Sequence, residues 1–353
     1  MHKRSVKNTL ERLAARAGPA LRTEQPHWGD AVQCDGLLYA ARALGSKKPL
    51  EDAIAWFEPK LTAGPQTEGW IWSWSAEALP ALDIYLLTGQ TAYLDYAAAV
   101  VDALEAKTMR TSDGAIVPHP PAVEVWVDIS YFAAPALARL GLIRSDTARM
   151  EAAADQLLVH QRYLQDEVTG LFRHVAYLER QAVSPCLWAR GNAWFGVAAT
   201  EVLLCLGTLP HCASGKAGLG RIAGALARQL NAVAALQDAE GLWHTVLDRT
   251  DSYLESSAAA GFALALGRAL AMKLSGLERE QAQAVWQRAI QAVTAKVDVN
   301  GEFTGVSQQT PPGDLDFYNS IEVGSAPYGT GLCMMTLAEA LQGAALFSCL
   351  TGC

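Results

Sequence analysis

Apolar residues recur at intervals of three and four along almost the whole chain, and this spacing restricts the fold more than any other sequence feature. It places apolar side chains on one face of an α-helix. Alternating patterns typical of strands are absent apart from short stretches such as 114–117. The spacing predicts twelve helices, over 3–16, 31–44, 50–60, 75–88, 91–107, 125–141, 146–165, 187–206, 217–237, 253–274, 277–297 and 327–346.

An all-α chain of twelve helices can form six hairpins that close into a double ring, the (α/α)6 barrel. Length alone favours about two domains, but no linker rich in proline, glycine or serine divides the 353 residues. We expect one (α/α)6-barrel domain over 1–353, with an open superhelix as the main alternative. In a closed ring, the helix ends and their loops surround a deep opening that suits a ligand.

The charge balance restricts the partners. Acidic residues number 36 and basic residues 28, a net charge of −8, which argues against a nucleic-acid-binding protein held by phosphate contacts. An anionic small substrate stays compatible, because Arg and His can concentrate positive charge locally. No apolar run is long enough to cross a membrane, so we expect no membrane partner.

The remaining sequence-wide features concern compartment and cofactors. The amino terminus lacks the apolar segment of a secretory signal, and seven cysteines without a CxxC pair favour reduced thiols. We expect a cytoplasmic protein, either a monomer or a homodimer. The seven histidines form no metal-binding spacing, and phosphate-loop, dinucleotide and serine-hydrolase motifs are absent. We therefore expect acid–base chemistry with no metal and no cofactor.

Asp128 lies in WVDISYFAAP, where helical spacing places it on one face with Tyr131, Phe132 and Pro135. A carboxyl group on an apolar face is costly to bury unless it is paired or protonated. Because an apolar environment favours the protonated form, Asp128 is a candidate general acid. The alternative is an aspartate that caps or bonds a neighbouring helix.

The segment WARGNAW opens a predicted helix and alternates aromatic with polar side chains. Trp188 and Asn192 are neighbours four residues apart, as are Arg190 and Trp194. This pattern suits a sugar acid, because rings stack on the pyranose face and Arg binds a carboxylate at two points. The alternative is an Arg stacked structurally between two core tryptophans.

Three tryptophans, Trp70, Trp72 and Trp74, lie within five residues. We expect one or two of them, with Trp72 as the predicted substrate-binding residue, to line a pocket; packing between helices is the alternative. His119 and His174 follow turns, where polar groups reach an opening more easily than a core. A lone histidine is nevertheless more often structural.

Two long loops, 108–124 and 299–326, have little helical pattern. Loops of this length in a compact domain are usually functional or disordered, and Phe317 and Tyr318 favour an ordered lid. Glu255 stands near the start of a predicted helix, where capping is the favoured interpretation.

These motifs together resemble the unsaturated glycuronyl hydrolases, especially the unsaturated rhamnogalacturonyl hydrolases of glycoside hydrolase family 105, with the related family 88. The matching segments include TGQTAYLDYA, VWVDISYFAAPALARLG, GLFRHVAY, WARGNAWFGVAATEVL and GSAPYGTGLCMMTLAEAL, from about 85 to 345. WARGNAW and WVDISYFAAP in this order and spacing are fairly specific.

The resemblance implies an (α/α)6 barrel that releases a 4,5-unsaturated uronic acid from the non-reducing end of oligosaccharides left by a polysaccharide lyase. It implies hydration of the vinyl ether, with Asp128 protonating C4 and its carboxylate then helping water to add at C5. It also implies that a group of substrate-binding side chains lines the pocket. With the local patterns above, the predicted set is His119, His174, Trp188, Arg190, Asn192, Trp194, Trp72 and Tyr328.

One departure from the family pattern concerns a second aspartate that the family usually carries before the Tyr-x-x-Thr-Gly turn. Counting back from Tyr85 reaches Ser73, and neither Glu77 nor Asp83 has the expected spacing. Two other functions therefore stay open. One is another (α/α)6 enzyme, a saturated glycosidase or an epimerase that would use His119 and His174. The other is a catalytically silent sugar-binding homologue.

Overall fold

The computed structural model describes residues 3–21, 28–207 and 215–342. Within these ranges the chain forms fourteen α-helices and one 3₁₀ turn, Leu178–Arg180. The helices are α1 Lys3–Ala20, α2 Trp28–Leu44, α3 Lys47–Ala63, α4 Ile71–Ser75, α5 Ala78–Thr88, α6 Thr91–Lys107, α7 Ile129–Arg144, α8 Thr147–Leu164, α9 Ala189–Gly207, α10 Gly215–Ala235, α11 Ser256–Ala271, α12 Arg279–Ala295, α13 Leu315–Ser320 and α14 Pro327–Gln342.

Short antiparallel strands lie beside the amino-terminal ends of several helices. In the described ranges they are β1 Glu124–Trp126, β2 Val175–Tyr177, β3 Ala182–Val183, β4 Trp243–His244, β5 Leu254–Glu255, β6 Val306–Ser307 and β7 Val323–Gly324. They form one sheet in the order β1-β2-β3 and two hairpins, β4-β5 and β6-β7. In the first sheet Val125 is opposite Ala176, which brings the segment before α7 beside the segment that carries His174.

Six helices form an inner ring. α2, α5, α7, α9, α11 and α14 each pack against the next, and α14 packs against α2, which closes the ring. The other six long helices, α1, α3, α6, α8, α10 and α12, pack outside them. The twelve predicted helices and the (α/α)6 barrel are confirmed, whereas the open superhelix is wrong because the ring closes.

The contact that closes the ring depends on two glycines. A Cβ atom on Gly331 of α14 would lie 2.2 Å from the carbonyl oxygen of Val32 on α2. A Cβ atom on Gly36 of α2 would lie 2.7 Å from the carbonyl oxygen of Gly331. Because real Cβ atoms do not approach backbone this closely, the two helices require glycine at both positions.

A ring of buried charged side chains, here called the ionic belt, connects all six inner helices. Arg139 pairs with Asp83 at 2.9 Å and with Glu201 at 2.5 Å. Arg268 pairs with Glu201 at 2.9 Å and with Glu339 at 2.7 Å. The belt consists of Tyr39 and Arg42 on α2, Asp83 on α5, Arg139 on α7, Glu201 on α9, Arg268 on α11 and Glu339 on α14.

A second layer of side chains lies eleven residues before the belt on the same helices. Eleven residues are close to three helical turns, so both layers point to the same side, about 16 Å apart along the axis. The pairs of upper and lower residues are Trp28 and Tyr39, Asp128 and Arg139, Arg190 and Glu201, Ser257 and Arg268, and Tyr328 and Glu339. The belt thus closes the base of the ring, and the upper layer lies at the amino-terminal ends of the inner helices.

Three helices begin three or more residues later than predicted. The helix expected over 125–141 begins at Ile129, because β1 pairs with β2 just before it. The helix expected from 253 begins at Ser256, because Leu254–Glu255 pairs with Trp243–His244. The helix expected over 75–88 begins at Ala78, because a turn separates it from the short helix α4.

Other predictions concern the cysteines and the extent of the domain. Cys34, Cys186, Cys205 and Cys333 are buried and form no disulfide among the described residues, whereas the cysteines at 212, 349 and 353 and the predicted helix residues 343–346 lie outside the described residues. A single domain over 1–353 stays a prediction.

Candidate active site

A cavity of about 510 Å³ opens at the amino-terminal ends of the inner helices. Its walls are mainly aromatic, and Asp128 and Arg190 are its charged residues. It is lined by Trp28, Trp70, Trp72, Ser73, His119, Trp126, Asp128, Phe132, Trp188, Arg190, Gln309, Thr310 and Pro311. An apolar cleft with a few converging polar groups is the usual form of a small-molecule site.

Asp128 stands between β1 and α7, so the sheet and the helix together position its carboxyl group. The preceding Val127 N–H donates to the His174 carbonyl oxygen at 3.0 Å, which ties this segment to the neighbouring one. Oδ2 of Asp128 is buried and lies 3.4 Å from Nε2 of His174. The side chain keeps 16% exposure, so the carboxyl group reaches the cavity without leaving its buried partner.

His174 lies behind Asp128 and is held on three sides. Its ring stacks on Trp188 with centroids 4.1 Å apart. Its backbone N–H donates to Ser184 Oγ at 2.9 Å. Its Nδ1 lies 2.7 Å from the hydroxyl of Tyr318. His174 is therefore a fixed partner of Asp128 and not a wall residue of the cavity.

Arg190 is held by the 299–326 segment. Nη1 donates to Ser307 Oγ at 2.6 Å, and Nη2 donates to the Gln308 carbonyl and to Thr310 Oγ1, both at 2.9 Å. The guanidinium stacks between Trp188, 4.8 Å away, and Tyr328, 4.7 Å away. Nε is the guanidinium nitrogen without a hydrogen-bond partner in the described chain. Because Nη1 and Nη2 bind protein groups, Arg190 offers a ligand only the one N–H on Nε, and the two-point contact expected from the sequence does not fit this geometry.

Glu255 caps α11, as the sequence predicts. Its carboxylate accepts from the backbone N–H groups of Ser257 at 3.2 Å and Ala258 at 2.6 Å. It also accepts from the Ser307 N–H at 3.0 Å and lies 3.7 Å from Nη1 of Arg190. Glu255 thus neutralises the buried Arg190 and joins α11 to the loop above it.

The mouth of the cavity is an aromatic cluster of Trp70, Trp72, His119 and Trp126. The His119 ring lies edge-on to the three indoles, with centroids 3.8, 4.7 and 4.8 Å away. Burial lowers the pKa of His119, so the imidazole is neutral at neutral pH. Glu124 accepts a 2.8 Å hydrogen bond from Trp126 Nε1. Trp70 is 54% exposed and marks the outer edge.

Besides His174, three other predicted substrate-binding residues do not line the cavity. Trp194 is buried against Tyr131 in the core between α7 and α9. Tyr328 is buried and donates its hydroxyl to the Ser307 carbonyl. Asn192 is buried and bonds the backbone of Phe172 in both directions, at 2.8 and 2.9 Å. All three stand one layer behind the wall.

The cavity also contains residues that the sequence did not single out. Trp126 and Phe132 lie inside the motif around Asp128, so that motif could have identified them as cavity residues. Trp28 begins α2 and stacks on Tyr328 with centroids 4.7 Å apart. The lining residues 309–311 come from the loop 299–326. The structure also adds Tyr318, through its contact with His174.

Ser73, which counting back from Tyr85 reaches in place of the family's second aspartate, lines the cavity. Glu77 does not replace that aspartate, because its carboxylate binds Lys60 at 2.5 Å and the Tyr96 hydroxyl. Asp83 lies in the ionic belt. Asp128 is the one carboxylate among the described lining residues.

Within residues 3–21, 28–207 and 215–342, three or more His, Cys, Asp or Glu side chains nowhere form a group that could hold a metal ion. Of the helices in the same ranges, none combines the length and the apolar character required to cross a membrane.

The chain is similar to known proteins in sequence and in fold. The family model described as Glycosyl Hydrolase Family 88 matches residues 1–343. The chain is 30% identical to the unsaturated rhamnogalacturonyl hydrolase YesR of Bacillus subtilis over 274 residues, 74% of each chain. A crystal structure of a possible member of the GH105 family from Salmonella enterica has a TM-score of 0.85 at 27% identity, covering 97% of this chain and 95% of that one.

The fold also recurs in a more distant structure. The unsaturated glucuronyl hydrolase from Bacillus sp. GL1 has a TM-score of 0.75 at 16% identity and covers 96% of this chain and 97% of its own. The family resemblance and the (α/α)6 barrel predicted from the motifs are confirmed. The chain belongs to glycosyl hydrolase family 88 and is a glycoside hydrolase of the group of unsaturated uronyl hydrolases in families 88 and 105.

Proposed function

We propose that this enzyme releases a 4,5-unsaturated uronic acid from the non-reducing end of lyase-generated oligosaccharides, with Asp128 as general acid and base. The observation that carries the proposal is that Asp128 is the one carboxylate among the described residues that line an aromatic cavity. A saturated glycosidase places two carboxyl groups on either side of the scissile bond. Hydration of a vinyl ether needs only one, which first donates and then accepts a proton.

The shape of the cavity suits the end of a chain. Arg190 is 1% exposed and Trp70 is 54% exposed, so the cavity runs from a closed floor to an open mouth. A terminal uronic acid ring fits the floor, and the rest of the oligosaccharide leaves through the mouth. Planar indole rings give such a ring apolar faces to stack on.

The floor also suits a carboxylate. Arg190 Nε and Trp188 Nε1 are buried N–H groups that have no hydrogen-bond partner in the described chain. Buried donors are rarely left unpaired, and the exceptions favour ligand-facing positions. The amino-terminal ends of α7, α9, α11 and α14 surround this region, and helix amino termini attract negative charge. These features support anion binding inside an acidic protein.

The reaction would proceed through Asp128 in two proton transfers. The protonated carboxyl group gives its proton to C4 while positive charge develops at C5 and the ring oxygen. The resulting carboxylate takes a proton from a water molecule whose oxygen adds to C5. The hemiketal opens to a ketone at C5, and the hemiacetal left at C1 expels the remaining sugar as a free alcohol. One water is consumed, and Asp128 ends in its starting form.

Replacement of the carboxyl group tests the proposal. Asp128→Asn should keep the fold and lose the decay of ultraviolet absorbance that follows loss of the double bond. The control, Asp95→Asn, removes an exposed carboxylate on α6 and should keep wild-type rates. Full activity in Asp128→Asn would exclude Asp128 as the acid.

Parallel assays separate the other candidates. Turnover of saturated but not unsaturated disaccharides would indicate a saturated glycosidase or an epimerase. Calorimetric binding of lyase products without turnover would indicate a silent sugar-binding homologue. A screen of lyase products from pectin, ulvan and glycosaminoglycans identifies the substrate.

A further inference from the structure

We propose that Tyr318 is a positioning residue that fixes the tautomer of His174 and thereby keeps the transferable proton of Asp128 on Oδ1. The inference rests on the proposed function, because it concerns the acid of that reaction. It assigns a role to a residue of the 299–326 segment that is distant in sequence from both partners.

The direction of the hydrogen bond follows from the surroundings of Tyr318. Its side chain is fully buried on α13, and its hydroxyl lies 2.7 Å from Nδ1 of His174. Burial raises the pKa of Tyr318, so the hydroxyl keeps its proton. A buried hydroxyl proton needs an acceptor, and Nδ1 of His174 is the acceptor that the described residues offer it, so Tyr318 donates to Nδ1.

The tautomer of His174 follows from that direction. A neutral imidazole whose Nδ1 accepts a hydrogen bond carries its proton on Nε2. Nε2 faces Oδ2 of Asp128 at 3.4 Å. Neither atom forms a hydrogen bond with any of the described residues, so the two face each other as unpaired groups. The Nε2–H group of His174 therefore lies beside Oδ2, the oxygen that is available to accept from it.

The proton of the neutral Asp128 carboxyl group is then confined to one oxygen. A proton on Oδ2 would meet the Nε2–H group of His174, so the neutral carboxyl group carries it on Oδ1. Oδ2 is inaccessible, and the side chain keeps 16% exposure. Oδ1 is therefore the oxygen that reaches the cavity, where the substrate C4 would lie. In the opposite tautomer Oδ2 could hold the proton, away from the substrate.

Nitrogen NMR of the histidines tests the tautomer directly, without any substrate. In the wild type, His174 should show a protonated Nε2 and an unprotonated Nδ1. In Tyr318→Phe the two tautomers should mix. A protonated Nδ1 in the wild type, or an unchanged His174 tautomer in Tyr318→Phe, would overturn the proposal. Tyr163→Phe is the matched control, because it removes a hydroxyl that binds Asp113 at the surface.

Kinetics test the consequence for the reaction. Tyr318→Phe should lower kcat about tenfold, the size of one lost hydrogen bond, with KM changed less than about twofold. In His174→Gln, whose amide can offer an N–H in place of Nε2, adding Tyr318→Phe should cause no further loss. Equal losses from Tyr318→Phe in both backgrounds would show a purely structural role. If the wild type turns over no unsaturated substrate, the proposed function fails while the NMR result still decides the tautomer.

Discussion

The charges of the ionic belt predict that replacing aspartate by asparagine affects the stability of the fold differently at two neighbouring residues, Asp83 and Asp35. Burial disfavours the charged form of Asp83, but the guanidinium groups of Arg139 and Arg42, each 2.9 Å away, outweigh burial and hold its pKa below the usual range. Burial and the nearby Asp83 raise the pKa of Asp35 well above the usual range. Asp83 is therefore the charged partner, and Asp35 is its neutral neighbour.

The charge balance of the belt gives the magnitude. With Asp35 neutral, three arginines face three carboxylates. Asp83→Asn leaves two buried guanidinium groups short of a counter-charge, and breaking a buried ion pair costs about 3–5 kcal/mol of unfolding free energy. Asp35→Asn replaces one neutral hydrogen-bonding group by another, so the cost should stay within about 1 kcal/mol.

Urea unfolding at neutral pH measures the unfolding free energy of the two variants and of the wild type. A series of pH values then shows whether each carboxyl group raises or lowers that free energy as pH changes. The lowered pKa of Asp83 stabilises the fold above the unfolded value of about 3.9, and this contribution is lost as pH falls through the folded pKa. The raised pKa of Asp35 has the opposite effect, since stability falls as pH rises above about 3.9. The stability of Asp35→Asn should therefore increase relative to that of the wild type as pH rises.

Equal destabilisation by the two variants would refute this assignment of charge. A larger loss from Asp35→Asn would place the negative charge on Asp35. An unchanged stability of Asp83→Asn would show that the belt does not depend on that carboxylate.

Two further predictions concern the cavity. Trp70→Ala removes an exposed ring whose stacking on a substrate would contribute about 1 kcal/mol to binding. Initial-rate measurements should therefore show that KM for unsaturated disaccharides rises about fivefold while kcat is unchanged. An unchanged KM would exclude Trp70 from substrate contact. Asn192→Ala leaves the buried backbone N–H and C=O of Phe172 unpaired and should cost about 3 kcal/mol in urea unfolding. A raised KM with unchanged stability would instead place Asn192 on the substrate.

Helical spacing by itself determined most of the fold. The twelve long helices follow from local periodicity, because a helix buries one face whatever it packs against. The boundaries near 129 and 256 did not follow, since β1 and β5 exist only through pairing with distant segments. The buried ionic belt also required the closed ring.

At the site, the sequence determined which segments meet, and the tertiary structure decided what their side chains do. Asp128, Trp188 and Arg190, from the two motifs, line one cavity. The Nη groups of Arg190, however, bind a segment more than a hundred residues later, and Tyr318 reaches His174 over a similar separation. A residue type and its spacing specify a donor or an acceptor but not its partner. The partner depends on which chain segments pack together. The same packing decides which residues form the wall of the cavity and which are buried behind it as support.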